Sequence, residues 1–208
     1  MKILNLYAGI GGNRKLWQGH EVTAIENDET LARIYKNFFP EDTVIIGDAH
    51  KILLDLEWIQ QFDFIWSSPP CQSHSSFRQN ICVRFRGTEP LYPDMSLYQE
   101  IIFLQHNFKG NWIVENVKPY YKPFIEPTFT LQRHNFWSNK KIETKDFEKD
   151  DIRNAQIKDL EKMYGFDLKD WRISNKRQIL RNCVKPEIGE YILNELSTPH
   201  LQMPTASI

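Results

Sequence analysis

Ile3-Leu4-Asn5-Leu6-Tyr7-Ala8-Gly9-Ile10-Gly11-Gly12 is the stretch whose reading decides the fold class. A short apolar strand runs directly into a loop with three glycines, so the backbone turns sharply at the strand's carboxyl end and leaves room for close approach. The same grammar recurs downstream. Val22-Thr23-Ala24-Ile25 reads as a second strand ending on Glu26. Leu31, Ile34, Tyr35 and Phe38 then mark a helix with one apolar face. Val44-Ile45-Ile46 is a buried-type strand stopping at Gly47-Asp48, and Ile52, Leu56 and Ile59 predict the next helix. Phe62 to Trp66 forms strand four, broken by Ser68-Pro69-Pro70-Cys71. Ser96 and Gln99 have capping-box spacing ahead of the stripe Leu97, Ile101, Leu104 and Phe108. Trp112-Ile113-Val114 is strand five and leads into Glu115-Asn116-Val117. Apolar, non-alternating strands interleaved with helices predict an α/β fold, a doubly wound, mostly parallel sheet.

Beyond Pro127 the pattern shortens. Residues 128–131 and 136–139 read as brief strands, and Asp151 is expected to cap a helix bearing Ile157, Leu160 and Tyr164 that stops at Gly165. Pro186 is placed to open a last helix with Ile188, Ile192 and Leu196, and the tail from Thr198 is expected to be loose.

The chain has 208 residues, 41% hydrophobic and 25% charged, enough for one domain with its own core. No apolar run approaches the ~18 residues of a membrane helix, so no membrane partner is expected. The N-terminus has neither a basic stub nor a small-residue cleavage site, which predicts no signal peptide. Three cysteines without a CxxC spacing exclude a disulfide scaffold or zinc ribbon, predict no metal and fit a reducing, cytoplasmic setting. The net charge is −1, yet residues 172–185 hold Arg172, Lys176, Arg177, Arg181 and Lys185 with no acid. Arg78, Arg84 and Arg86 form a second basic cluster, and either patch could neutralise phosphates.

Ligands of open parallel sheets bind at the carboxyl ends of the strands, and four such ends carry chemistry. The glycine loop matches neither G-x-x-x-x-G-K-[ST] nor G-x-G-x-x-G, so its ligand needs no diphosphate. Glu26 could accept two ribose hydroxyls and Asp48 an exocyclic amine, which together suit an adenosine. Pro69 and Pro70 fix the backbone before Cys71, a mount suited to a nucleophile that adds to an electron-poor ring. Glu115 follows three apolar residues, where burial disfavours its charge and lets it share a proton near neutrality.

In chain order, Leu6-Tyr7-Ala8-Gly9-Ile10-Gly11-Gly12, Pro70-Cys71-Gln72, Glu115-Asn116-Val117 and Arg181-Asn182-Cys183-Val184 resemble four motifs of the cytosine-C5 DNA methyltransferase family. The resemblance implies the Rossmann-like fold of class I S-adenosylmethionine-dependent methyltransferases, with S-adenosyl-L-methionine as cofactor. It implies that Cys71 adds to C6 of a cytosine, that Glu115 bonds or protonates N3, and that Arg133 supports the base and the catalytic loop. Cofactor contacts are implied for Tyr7, Ala8, Gly9, Ile10, Gly11, Gly12, Glu26, Asn27, Asp48, Ala49, Pro69, Asn182 and Val184. The family's Q-x-R-x-R motif is compressed here to Gln132-Arg133-His134-Asn135, with Asn135 where a second arginine is expected.

The implied organisation is a catalytic and cofactor-binding domain over 1–139, a short target-recognition region over 140–175, a return segment over 176–197 and a tail over 198–208. The expected partner is duplex DNA with a flipped cytosine. RNA, such as a tRNA loop, is the alternative substrate, and a non-catalytic DNA-binding subunit is the reading from another class. Residues 140–171 hold eight basic and nine acidic residues, little surface for base reading. Either specificity is low, or a second copy in a homodimer or a partner subunit supplies it, and Arg172–Lys185 becomes the candidate for backbone contact.

Overall fold

The computed structural model describes residues 1–148 and 152–197. Seven strands form one sheet: β1 (Lys2–Leu6), β2 (Glu21–Glu26), β3 (Thr43–Ile46), β4 (Phe64–Ser67), β5 (Asn111–Val117), β6 (Phe129–Leu131) and β7 (His134–Ser138). Their order is β3-β2-β1-β4-β5-β7-β6. β1 to β5 pair in parallel, β7 runs antiparallel to β5, and β6 runs antiparallel to β7. This is the doubly wound, mostly parallel arrangement that the apolar strands predict and the Rossmann-like fold that the resemblance implies. The order reverses between β1 and β4, so the carboxyl ends of those two strands flank the switch point where such sheets bind ligands.

Helices cover both faces, and a short one, α4 (Arg84–Arg86), follows the cysteine loop. On one side α2 (Ala49–Leu53), α3 (Leu56–Ile59) and α5 (Ser96–Asn107) bring Leu53, Ile59, Leu97, Ile101 and Leu104 against Leu4, Ile65 and Val114. On the other, α8 (Pro186–Ser197) seats Ile188, Ile192 and Leu196 against Ile3, Trp66 and Ile113. A third cluster joins α1 (Glu29–Phe38), α6 (Ile157–Tyr164) and α7 (Lys176–Asn182) through Ile34, Tyr35, Leu160, Tyr164 and Leu180. Each such aliphatic or aromatic side chain, fully buried, contributes roughly 1.5–3 kcal/mol. Residues 157–168 therefore share a core with α1, where Leu160 and Leu168 are completely buried.

Local physics modifies several boundaries. The expected helix through Ile52, Leu56 and Ile59 is two short helices, because Asp55 accepts from the Trp58 N–H and starts a new one. The Ser96–Gln99 capping box does not form: Asp94 accepts from the Ser96 N–H and Ser96 is already helical. Asp159 accepts from the Gln156 N–H at the start of α6, which ends at Gly165 with φ +69°. The cap expected at Asp151 and the tail from Thr198 lie outside the described residues. Pro186 opens α8 as its spacing predicts. Among the described residues no helix is long and apolar enough to cross a membrane.

Candidate active site

Backbone conformation shapes the first loop. Tyr7 has φ +55°, Gly9 φ +55° and Gly11 φ +86°. A Cβ on Gly11 would stand 2.3 Å from the Phe39 ring, whereas one on Gly9 would meet open space. Ala8 donates to the Ile25 carbonyl at 3.0 Å, and Ile10 is buried beside Ile34 and Tyr35. The loop is thereby pinned to β2 and α1 while Gly9 faces a vacant flank.

Glu26 ends β2, 7% exposed, with one carboxylate oxygen accepting from the Gly9 N–H at 2.8 Å and the other from the Asp28 N–H at 2.9 Å. Each oxygen keeps a second lone pair. Asn27 beside it is exposed. Asp48 caps α2 by accepting from the His50 and Lys51 N–H groups through one oxygen, and Ala49 is buried behind it. The other Asp48 oxygen faces the Lys51 ammonium at 3.6 Å, in an exposed pair that an amine donor would have to share.

Cys71 follows β4 and is half-buried. Its carbonyl accepts from the N–H groups of His74 and Ser75, so the chain turns immediately after the thiol. Burial first, then the neighbouring Glu115 carboxylate, pushes the thiol up to about 11, while the Arg133 guanidinium opposes both. Glu115 lies on β5, beside β4, and its carboxyl is pushed up to about 7 by burial, against a Ser68 hydrogen bond and the Arg133 charge. Ser68 in turn accepts from the Trp66 indole N–H at 2.9 Å. Asn116 donates to the buried Pro69 carbonyl at 2.9 Å and ties the cysteine mount to β5. Cys71, Glu115 and Arg133 thus share one electrostatic environment.

Arg133 reaches further. It donates to the Arg181 carbonyl at 2.8 Å and the Cys183 carbonyl at 3.1 Å. That clamps the β6–β7 turn onto the end of α7 and the residue after it, a segment that itself closes on the first loop. A Cβ on Gly12 would lie 2.6 Å from Cys183 Cβ and 2.9 Å from the Val184 carbonyl. Val184 approaches through its backbone, because its side chain lies in the α8 core, and Asn182 is exposed.

The C-5 cytosine-specific DNA methylase family model matches residues 1–130. The chain belongs to that family. A curated relative, the tRNA (cytosine(38)-C(5))-methyltransferase of Spodoptera frugiperda, is 33% identical over 76 residues. That match covers 34% of this chain and 23% of the relative, so the chain spans about a quarter of that protein's length. Among solved structures, an E260A/E261A/K263A mutant of Spodoptera frugiperda DNMT2 is 28% identical with TM-score 0.39, covering 56% of this chain and 35% of that one. A putative DNA modification methyltransferase encoded within an E. coli prophage is 20% identical with TM-score 0.41, covering 59% and 33%.

As in other C-5 cytosine methylases, the cofactor is S-adenosyl-L-methionine. The residues present fit it: the free flank of Gly9 admits a ligand against the backbone, and Glu26 is a preset double acceptor for a ribose diol.

Several residues in this site escaped the sequence reading. By strand alternation His134, not Asn135, shares the face of Glu115. Its Nε2 lies 3.6 Å from the Glu115 carboxylate, and burial holds the ring neutral, far below the usual histidine range. Asn135 instead accepts from the Thr130 hydroxyl at 3.1 Å. His74 Nδ1 bonds the Tyr121 hydroxyl at 2.5 Å and its Nε2 has no hydrogen-bond partner among the described residues, so its ring is not paired with the Cys71 thiol. In the basic stretch 172–185 three side chains are tied to backbone carbonyls and keep their charge: Lys176 donates to Leu168 O, Arg177 to Arg153 O and Lys185 to Glu148 O. Arg172 remains exposed.

Proposed function

We propose that this chain transfers the methyl group of S-adenosyl-L-methionine to C5 of cytosine in DNA through a covalent bond between Cys71 and C6. The observation that carries this reading is a buried carboxyl on β5 that raises the pKa of a mounted thiol after the adjacent β4, with the Arg133 guanidinium acting on both. Cys71 gives up its proton and its sulfur adds to C6, while Glu115 supplies a proton or hydrogen bond to N3, so that C5 gains electron density. The bound cofactor supplies an electrophilic methyl group for C5. Loss of the C5 proton, return of the N3 proton and expulsion of the Cys71 thiolate restore the aromatic ring. Gly9, Glu26, Asp48 and Ala49 would hold the adenosine, and the remaining cofactor residues named above would complete the cleft.

A second reading, cytosine in RNA, is favoured by a specific surface. Arg84-Phe85-Arg86 follows the cysteine loop with Phe85 79% exposed, and Tyr92 nearby in sequence is 97% exposed. Exposed rings interleaved with arginines suit stacking on unpaired bases. The curated Spodoptera relative, named as a tRNA methyltransferase, points the same way. One assay separates the readings: labelled methyl transfer to duplex DNA, single-stranded DNA and tRNA, with Cys71→Ser as control. Label in duplex DNA, lost in the variant, is expected. Label confined to tRNA would replace the DNA reading, and label in none would overturn both.

A further inference from the structure

Glu100 is a carboxylate with a side chain fully out of solvent, on the face of α5 that packs onto the sheet. One oxygen accepts from the Tyr7 hydroxyl at 2.5 Å and lies 3.0 Å from His50 Nδ1, and the other accepts from the Ser67 hydroxyl at 2.7 Å. These partners come from three different strand ends. Tyr7 opens the glycine loop after β1, Ser67 closes β4 just before the cysteine mount, and His50 sits in α2, behind the Asp48 cap. A buried charge costs several kcal/mol unless its hydrogen bonds are satisfied. Here the partners lie at the switch point of the sheet, the cleft in which the proposed reaction takes place.

The geometry requires something to hold Tyr7, a non-glycine residue at φ +55°. Such a conformation persists only where the surroundings over-determine it, and the bond to Glu100 anchors the far end of that side chain. Ser67 is completely buried, and only three residues separate it from Cys71. One rigid group therefore touches both the seat of the cofactor and the mount of the nucleophile.

We propose that Glu100 is a positioning residue that couples the cofactor loop, through Tyr7, to the cysteine mount, through Ser67. The proposal rests on the methyl-transfer reading, because it needs a cofactor in the cleft. Tyr7→Phe cuts only the cofactor branch, Ser67→Ala only the cysteine branch, and Glu100→Gln disturbs both.

Two readouts that need no turnover test this in the full chain. Calorimetry with S-adenosylhomocysteine measures the cleft, and the rate of Cys71 alkylation by iodoacetamide, followed by mass spectrometry of its peptide, measures the mount. Tyr7→Phe should weaken binding by about tenfold, the loss of one charge-assisted hydrogen bond, with alkylation within about twofold of wild type. Ser67→Ala should change alkylation several-fold and leave binding within about twofold. Glu100→Gln should move both. The proposal is overturned if Glu100→Gln lowers thermal stability but leaves both readouts unmoved. It is also overturned if each single-branch variant moves both equally; these two variants decide the matter even if Glu100→Gln does not fold. Failure of the wild-type chain to bind S-adenosylhomocysteine would sink the methyl-transfer reading and this proposal with it, a result visible before any variant is made.

Discussion

The Asn116 side-chain amide donates to the Pro69 carbonyl at 2.9 Å, joining positions 47 residues apart and locking the cysteine mount onto β5. Pro70 has no N–H and fixes its own φ, so the short segment between Pro69 and Cys71 has little freedom left. Glu115, the residue before Asn116, is carried by the same strand. Beyond the β4–β5 ladder, which ends at Ser67 and Val114, this one side chain fixes the thiol relative to the carboxyl.

Asn116→Ala should leave the fold intact at a cost of about 1–3 kcal/mol, the penalty of an orphaned buried acceptor. Methyl transfer should fall by at least about tenfold at saturating substrates, with cofactor affinity little changed. Thermal unfolding together with single-turnover kinetics checks both, and unchanged turnover would show that the mount is held elsewhere.

Glu115 trades stability for chemistry. Its carboxyl is raised from 4.5 to about 7 in the folded chain, so between those values the native state binds more protons than the unfolded state. Stability accordingly falls as pH rises through that window. The full cost, about 3 kcal/mol, is present above pH 7 and absent below about pH 4. Glu115→Gln should be more stable than wild type by a similar amount at pH 8 and by almost nothing at pH 4. Denaturant titrations at the two pH values measure this difference.

The two pKa values also fix the shape of the pH–rate profile. Attack needs Cys71 ionised and Glu115 protonated, yet the thiol sits at about 11 and the carboxyl at about 7. Between those values the pair holds one proton, mostly on sulfur, and the productive arrangement is a small fraction that does not vary with pH. Single-turnover rates should therefore fall below about pH 7 and stay flat to at least 9.5. In Glu115→Gln the residual rate should instead climb about tenfold per pH unit over the alkaline part of that range. A wild-type rate that keeps climbing from pH 7 to 9.5 would mean that no proton is needed on Glu115.

Much of this site is written in short stretches that report local needs. Apolar runs name β1, β2, β4 and β5 because those strands are buried and cannot alternate. Prolines before Cys71 and glycines after Leu6 announce a rigid mount and a tight loop. What escaped depends on partners remote in sequence. Glu100 falls three residues after Leu97 and four before Leu104, inside the apolar stripe, and a charge there is a visible sign of a buried network. Its partners Tyr7, His50 and Ser67 could not be read from α5 alone. Motif spacing points to Asn135, whereas strand alternation puts His134 on the face of Glu115. Asp48 looked free for an adenine amine, but an aspartate immediately before a helix is also its natural cap.

Gly12→Ala probes the closure of the cleft. The added methyl would meet Cys183 Cβ at 2.6 Å and the Val184 carbonyl at 2.9 Å, neither a flexible chain end. The return segment must retreat, at a cost of about 1–3 kcal/mol. Cofactor affinity should drop with it if that segment lines the pocket, and calorimetry with S-adenosylhomocysteine reads the change directly.

Arg133 performs two tasks that lysine can separate. Its terminal Nη2 donates to the carbonyls of both Arg181 and Cys183, and that nitrogen stands a bond further along the side chain than a lysine ammonium reaches. Its charge also holds down the pKa of both Cys71 and Glu115. Arg133→Ala removes both effects, so stability should fall by about 2 kcal/mol and the acid limb of the pH–rate profile should move upward from about 7. Arg133→Lys keeps the charge and loses the bridge. It should be destabilised to a similar degree while its acid limb stays near the wild-type position. Measuring both variants by thermal unfolding and by single-turnover rates from pH 6 to 9 resolves the two roles. If lysine shifts the limb as far as alanine does, the effect of Arg133 on the carboxyl runs through the clamp and not through its charge.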